Sequence, residues 1–568
     1  MRHPLRSGAY LVGITVAIAC LFIVVVTLIP NGGVSSDLSA STHLRALLEL
    51  DHPGLAVAVA GDGDFEILRA VYARRHFQPL WEVAGRPTPQ ALATLRLLNG
   101  AAAYGLRPED YRAPLADWIV SASKTPSLDD LQWAQSDLAL SVVAVRFLRN
   151  VHGGRVDPRA AGFNIGLTPP EFDAGVALEH LATADNVASI INSIEPPFYH
   201  YRLLKTALAR YQSLAAGSPP PKLPPLGNRF VRPGGDYDGA PILRARLIAL
   251  GDLAADAAAP DTDHSLDPEL VNAIKRFQAR NQIDVTGALD AATLRELGTP
   301  IAQRVRQIEL SLERWRWLPP FQTPPIIVNI PQFRLFAFRS TQDRAADILQ
   351  MDVIAGRSYP WARTPAFSAD MTYVIFRPYW DVPYSITRKE LLPKIKADLG
   401  YLDTERLEIV SGPDDTARPL PPTPDNLSAL ASGLLRLRQR PGPNNALGLV
   451  KFMLPNPYHV YLHSTPESQL FSKSVRAFSH GCIRVSDPVA LAAYVLRDTP
   501  GDWTPARIRE AMNGATSLRV NLARPIPVVI VYATALATEA GPVLFFHDVY
   551  GQDRVLEQLL GLAPVPSD

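Results

Sequence analysis

The sequence predicts a multidomain α+β protein: an N-terminal membrane helix, a mainly helical scaffold, a three-helix module, and a mainly β domain with an inserted lid. Three observations predict it. An uncharged apolar run opens the chain, three- and four-residue apolar spacing governs the middle, and after Pro325 the period drops to two. The 568 residues exceed what one hydrophobic core usually serves. An apolar fraction of 47% and a charged fraction of 20% are ordinary for folded protein. Lys plus Arg number 56 against 55 Asp plus Glu, so no basic field marks nucleic acid as a partner.

The apolar run covers residues 9–29 and follows Arg2, His3 and Arg6. At 1.5 Å per residue it spans roughly 30 Å, the thickness of a bilayer core. Residues 1–30 are therefore expected to be a cytoplasmic tip and membrane anchor, with everything after Pro30 outside. The rival, a cleaved secretion signal, has a shorter apolar region of about 7–15 residues. Cys20, inside the run, reads as an inert membrane cysteine.

Residues 37–216 form the predicted helical scaffold, with amphipathic spacing over 64–75, 88–100 and 127–149. A Pro-rich linker follows at 217–225. Three short helical patterns over 236–299 make the small module, the second opening on Pro268. Residues 300–324 read as a helical connector. Its Trp315 and Trp317, two apart, cannot share a helix face and are expected to wedge between domains.

The β domain is expected over 325–500, with strands at 326–330, 334–338, 349–354, 372–376 and 458–463 forming a sandwich or barrel. A long segment, 385–440, interrupts the strand pattern with a helical stretch at 389–396 and a Pro-rich stretch, and reads as a lid. The C-terminal region, 501–568, has one further strand at 526–532 that should return to the same core.

Outside the apolar run the chain has one cysteine, Cys482, in Ser479-His480-Gly481-Cys482-Ile483-Arg484. No CxxC or HExxH occurs, so thiolate zinc and zinc-protease sites are unsupported, and neither metal nor cofactor is expected. A lone thiol in an oxidising compartment is a liability unless buried or used. An imidazole nearby can take its proton and raise its nucleophilicity. His463, nineteen residues upstream at the end of a strand-like run, can be brought opposite by the intervening turn. His480 is closer in sequence, but its side chain is free to point elsewhere. Gly481 and the amides around Cys482 suit an oxyanion hole, and Arg484 suits a substrate carboxylate. The competing reading is a buried cysteine at a strand–helix junction with two incidental histidines.

Two resemblances sharpen this. Leu247-Ile-Ala-Leu-Gly251, Ala273-Ile-Lys-Arg-Phe-Gln278 and Gly287-Ala-Leu-Asp-Ala-Ala-Thr-Leu-Arg-Glu-Leu297, in that order, resemble the peptidoglycan-binding domain type 1 family. His463 with Ser479 to Arg484 resembles the signature of YkuD-type L,D-transpeptidases. Arg357, Thr364-Pro365 and the stretches 380–383 and 441–448 are similar to its large, multidomain Gram-negative members. The resemblance implies that Cys482 attacks the bond before the terminal D-alanine of a tetrapeptide stem. D-alanine leaves, and the thioester is passed to the diaminopimelate amine of a neighbouring stem as a 3→3 cross-link. It implies His463 as base and then acid, and backbone at His480 or Gly481 as support for His463 or as oxyanion hole. Arg484 and Tyr461 are implied as substrate contacts, peptidoglycan stems as donor and acceptor, and an inner-membrane anchor with a periplasmic catalytic domain. Its rivals are an L,D-carboxypeptidase or cysteine amidase that delivers the acyl group to water, and a non-catalytic peptidoglycan-binding scaffold. Papain-like amidases place Cys before His, the reverse of the order here.

Overall fold

The computed structural model describes residues 39–50, 62–112, 117–123, 128–165, 172–218, 220–227, 230–257, 264–340, 348–412, 416–539 and 541–565. The expected anchor at 9–29, with Cys20, lies outside them. Among the described residues no helix is long and apolar enough to cross a membrane.

The scaffold is helical and is organised around Asp130–Gly153. A capping box starts this helix: the Asp129 carboxylate accepts the Gln132 N–H, and the Gln132 side chain accepts the Asp129 N–H. Apolar residues occupy most of its circumference. Leu138, Leu140, Val142, Val143, Val145 and Phe147 are all buried, as befits a helix enclosed on every side.

In the small module, helices Ala240–Leu250, Pro268–Arg280 and Ala291–Leu297 are delimited by local chemistry. Gly251 ends the first in a left-handed conformation, and the carboxylates of Asp267 and Asp290 cap the other two. Their apolar faces do not close on one another alone. Leu243, Leu247, Ile274 and Phe277 share a core with Tyr201, Leu208 and Tyr211 of the scaffold helix Tyr199–Ala216, and with Val543 and Phe545 near the C-terminus.

Helix Ile301–Arg316 ties the parts together. Glu313 accepts the Val156 N–H of the scaffold at 3.0 Å, Ser311 accepts the Ala535 N–H at 3.0 Å, and Arg314 pairs with Asp553. Trp315 lies in the module's core, whereas Trp317 lies in that of the β domain, edge-on to Phe163 at 5.1 Å. One side chain enters each neighbour because a helix turns about 200° over two residues.

The β domain has nine strands: β1 (Ile326–Asn329), β2 (Arg334–Ala337), β3 (Leu349–Gly356), β4 (Ser368–Phe376), β5 (Val450–Met453), β6 (Leu462–His463), β7 (Ala477–Ser479), β8 (Ile483–Val485) and β9 (Leu518–Val531). Their order is β7-β3-β8-β6-β5-β4-β9-β1-β2, and β2 pairs again with β3, closing a barrel. The closed ring comprises the eight strands from β3 round to β2, and β7 hangs on β3 alone. Val328, Leu335, Val353, Val374, Phe452, Leu462, Ile483 and Val528 fill the barrel core.

Two expected elements differ. The strand expected over 458–463 shrinks to Leu462–His463. The Asn456 carboxamide accepts the N–H groups of Tyr458 and Val460 and donates to the Leu454 and Val460 carbonyls, coiling the chain into a turn with His459 at φ +55°. The helix expected over 389–396 is a composite: Tyr384–Ile386, a π-turn at Thr387–Leu391, then Leu392–Ala397. Pro393 has no N–H for the Lys389 carbonyl, and its ring crowds that oxygen, so the turn widens. This composite belongs to the segment inserted between β4 and β5. Among the described residues that segment has a four-stranded sheet (Trp380–Asp381, Arg436–Gln439, Leu407–Val410, Pro419–Leu420) and a separate core of Val382, Ile395, Leu402, Ile409, Leu430 and Leu437.

Candidate active site

Strand register places the cysteine and the histidine on one face of the sheet. β6 and β8 run parallel, pairing Leu462 with Ile483 and His463 with Arg484. Side chains alternate along a strand. Leu462, Ile483 and Val485 therefore enter the barrel core, and Tyr461, His463, Cys482 and Arg484 share the opposite face. Cys482 is a half-buried free thiol that donates to the His459 carbonyl at 3.8 Å and hydrogen-bonds the Tyr461 hydroxyl. Burial pushes the thiol up from its ordinary range, against the opposing pull of the Tyr461 hydrogen bonds and of the Lys451 and Arg484 charges. Burial likewise pushes the Tyr461 phenol up, with the Cys482 charge adding to it.

His463 is buried, and its imidazole is pushed down to about 3, first by burial and then by the Arg484 cation. Its Nδ1 lies 2.5 Å from the Ser464 carbonyl. A carbonyl only accepts, so Nδ1 carries the hydrogen and Nε2 keeps its lone pair. Burial thus favours the uncharged form of both the Cys482 thiol and the His463 imidazole.

The peptide before the nucleophile is held rigidly. Gly481 adopts φ +118°, a conformation closed to residues with a Cβ. Its N–H donates to Ser479 Oγ at 3.1 Å, and its carbonyl accepts from Thr364 Oγ1 at 2.8 Å. C=O and N–H are antiparallel across a trans peptide, so the Thr364 bond turns the Cys482 N–H to the opposite side. That N–H has no acceptor among the described residues. Thr364 is itself fixed: its Oγ1 accepts the Gly356 N–H at 2.8 Å, and its N–H donates to the Tyr550 hydroxyl at 3.2 Å. Tyr550 donates to the Gly356 carbonyl at 2.6 Å, and its N–H donates to Tyr532, which donates to Asp548. Gly356 must be glycine, because a Cβ there would sit 2.0 Å from the Ala362 carbonyl.

The remaining expected site residues are placed as follows. His480 turns away from the thiol, its Nε2 2.9 Å from Glu390 of the inserted segment's π-turn. Trp361 lies 6.0 Å from the His480 ring, and Lys389 lies 5.5 Å above Trp361. Backbone carbonyls of Ser464 and Leu447 bond the His463 ring. Because Ser479 occupies the Gly481 N–H, the free donor beside the thiol is the N–H of Cys482 itself. Arg484 pairs through Nη1 with Glu467, while its Nε is buried without a hydrogen-bond partner among the described residues. Tyr461 hydrogen-bonds the Cys482 thiol and carries the Lys451 ammonium 4.0 Å above its ring.

Three family models match the chain: a scaffold domain over residues 66–208, a "Putative peptidoglycan binding domain" over 238–297, and an L,D-transpeptidase catalytic domain of the YkuD family over 324–508. The match to the L,D-transpeptidase catalytic domain thus covers the residues around Cys482 and His463. A protein of Haemophilus influenzae named "Putative L,D-transpeptidase" is 30% identical over 250 residues. The match spans 44% of this chain and 48% of that relative, about half the length of each. The transpeptidase barrel extends past the matched segment, since β9, paired with both β1 and β4, begins at Leu518. A cavity of about 910 Å³ lies against the peptidoglycan-binding module and is lined by none of the residues around Cys482. One of about 360 Å³ adjoins His480 and Gly481 and borders Phe163, Tyr458 and Tyr550.

Sequence reasoning missed Ser464, Glu390 and Tyr550. Ser464 follows the histidine directly, and its use of a backbone oxygen is invisible in residue type. Glu390 lies in the segment read as a lid. Tyr550 lies in the C-terminal region with no periodic signal to connect it to Cys482.

Proposed function

We propose that the chain is an L,D-transpeptidase that forms 3→3 peptidoglycan cross-links through a Cys482 thioester. The observation that carries this reading is the placement of Cys482 and His463 on one sheet face, beside a Cys482 N–H whose direction is set by the Gly481–Thr364 bond. The thiol sulfur attacks the carbonyl before D-alanine while its proton passes to His463 Nε2. The oxyanion forms against the Cys482 N–H. The imidazolium is disfavoured by burial and by Arg484, so it readily yields the proton to the departing amine. The C–N bond breaks, D-alanine leaves and the thioester remains. An amine of a second stem then forms the new C–N bond, the C–S bond breaks, and the amine proton returns to sulfur through His463.

Under this reading the lid gates the stem, and residues 9–29 hold the working domains outside the inner membrane, in the periplasm. The family match to a peptidoglycan-binding domain beside the catalytic domain supports the wall as substrate. The test incubates the protein with a disaccharide-tetrapeptide and reads products by mass spectrometry. A dimer lacking one D-alanine is expected. A tripeptide alone would instead make the protein an L,D-carboxypeptidase. Cys482→Ala should reduce turnover by about 10⁴-fold or more and abolish the covalent carbapenem adduct. An adduct that persisted in this variant would remove Cys482 as nucleophile.

A further inference from the structure

We infer that Arg363 reads the carboxylate beside the attacking amine of the acceptor stem, in the cavity on the Gly481 side of Cys482. This rests on the transpeptidase reading and specifies its second substrate. The cavity, about 360 Å³, is walled by the catalytic loop at His480 and Gly481, by Trp361 and Tyr458, and by Gln552 from the C-terminal region. Arg363 lies against the catalytic loop: its carbonyl is 3.5 Å from where a Cβ on Gly481 would sit.

The state of this guanidinium points to a ligand. Arg484 pairs with Glu467, and Arg334 and Arg476 both pair with Asp352, whereas the side chain of Arg357 on the same loop bonds, among the described residues, only the Phe478 carbonyl through its Nε. Arg363 is half-buried and has no carboxylate partner among the described residues. Its Nε donates to the Ser358 carbonyl at 2.9 Å, and its guanidinium carbon lies 5.5 Å from the centre of the Tyr550 ring. Those two contacts fix its plane and leave both terminal nitrogens for an anion, the bidentate geometry that suits a carboxylate. Holding a cation partly out of water without a counter-charge is unfavourable, and a bound carboxylate relieves it. The same cavity is lined by Gln552, whose buried Oε1 has no hydrogen-bond partner and can accept from an N–H. A carboxylate site and an N–H acceptor in one cavity match an α-amino-acid head, the group that carries the acceptor amine in a diaminopimelate stem.

Transfer also needs two approaches to the thioester. His463 and Tyr461 lie along the β6–β8 face, which serves the donor under attack, and this cavity is lined by His480 and Gly481 but by neither Cys482 nor His463. A stem anchored there by its carboxylate extends its amine past Gly481 to the thioester carbonyl, forming C–N and breaking C–S, and the amine proton passes through His463 to the Cys482 sulfur.

The test uses the full chain, one tetrapeptide donor, and two acceptors that differ only in carrying a free carboxylate or a carboxamide beside the acceptor amine. D-alanine release and cross-linked product are both quantified. Wild type should favour the free acid by about 10- to 100-fold in kcat/KM for acceptor, the range of a hydrogen-bonded charge. Arg363→Gln should bring that ratio close to one, and Arg363→Lys should keep part of it. Because the ratio is taken within each variant, a general loss of activity leaves it readable. A preference that survives in Arg363→Gln overturns the assignment, as does a preference that follows amidation of the donor instead of the acceptor. Absence of D-alanine release by wild type overturns the transpeptidase reading itself, and this inference with it.

Discussion

Cys482 sits between a floor and a roof that are built differently. On the floor, β6 and β8, each group is positioned by the main chain or by a buried hydroxyl: His463 by the Ser464 carbonyl, the Cys482 N–H by the Gly481 carbonyl's bond to Thr364 Oγ1, and Cys482 and His463 by strand register. The roof is held by side chains that water can reach. Glu390 meets His480 with 40% and 27% of their side chains exposed, and Lys389 lies over Trp361, itself 59% exposed. Contacts of the first kind move only if the barrel deforms, whereas contacts of the second kind exchange with solvent or substrate at little cost. The molecule thus separates fixed chemistry from adjustable access, with His480, two residues from the nucleophile, belonging to the access side.

The largest effect that tests this contrast belongs to His463. His463→Gln should lower kcat by about 10²- to 10⁴-fold, measured by D-alanine release at saturating tetrapeptide. Its wild-type pH dependence has a definite sign. The folded-state imidazole is pushed down to about 3, below its unfolded value of about 6.5, so the unfolded chain binds more protons between those limits. His463 therefore contributes stability that is full above about pH 6.5 and is lost as pH falls toward 3. His463→Gln should flatten that part of a denaturant-midpoint profile. The acid limb of kcat/KM should fall below pH 5 in wild type, and a limb near 6.5 would show an imidazole less enclosed than described.

A smaller effect tests whether the floor extends into the C-terminal region. Tyr550→Phe removes the hydroxyl that holds Thr364 and Gly356, and with it the stiffness of the Gly481 peptide. About a tenfold loss in kcat with little change in KM is expected, because only the transition state uses the Cys482 N–H. A change confined to KM would make Tyr550 a cavity wall and nothing more.

The smallest effect should come from the roof. Glu390→Gln weakens the tie to His480, and its expected mark is a change in KM of less than about fivefold that shrinks as salt is added. A loss as large as that of His463→Gln would show that the lid takes part in the chemistry, and the division drawn here would fail.

Periodicity carried much of the fold. The helices of the scaffold and module and the change to two-residue alternation after Pro325 were visible because each buries one regular face. Where side chains bond to the backbone, pattern was uninformative. The Asn456 carboxamide replaces most of an expected strand with a turn, and Pro393 widens an expected helix, both through local stereochemistry that hydropathy does not encode. At the site, Cys482 and His463 stand out as residue types at a telling spacing. Their supports do not. The Ser464 oxygen belongs to every residue alike, and the Tyr550 hydroxyl arrives from a distant part of the chain that only the closed barrel brings near.

That closure has a bearing on biosynthesis. Ile326 pairs with Val528 and Ser368 with Val529, so the first-made strands of the barrel wait for one of the last. Joining such distant segments is entropically costly and slow compared with the local helices that precede them. Until β9 has been made, β1 and β4 each lack a neighbour, and Tyr550, which steadies the peptide at Cys482, is still to come. A growing chain therefore exposes its reactive thiol without the surroundings that direct it, and competence for acyl transfer arrives in one late step, when the ring is completed.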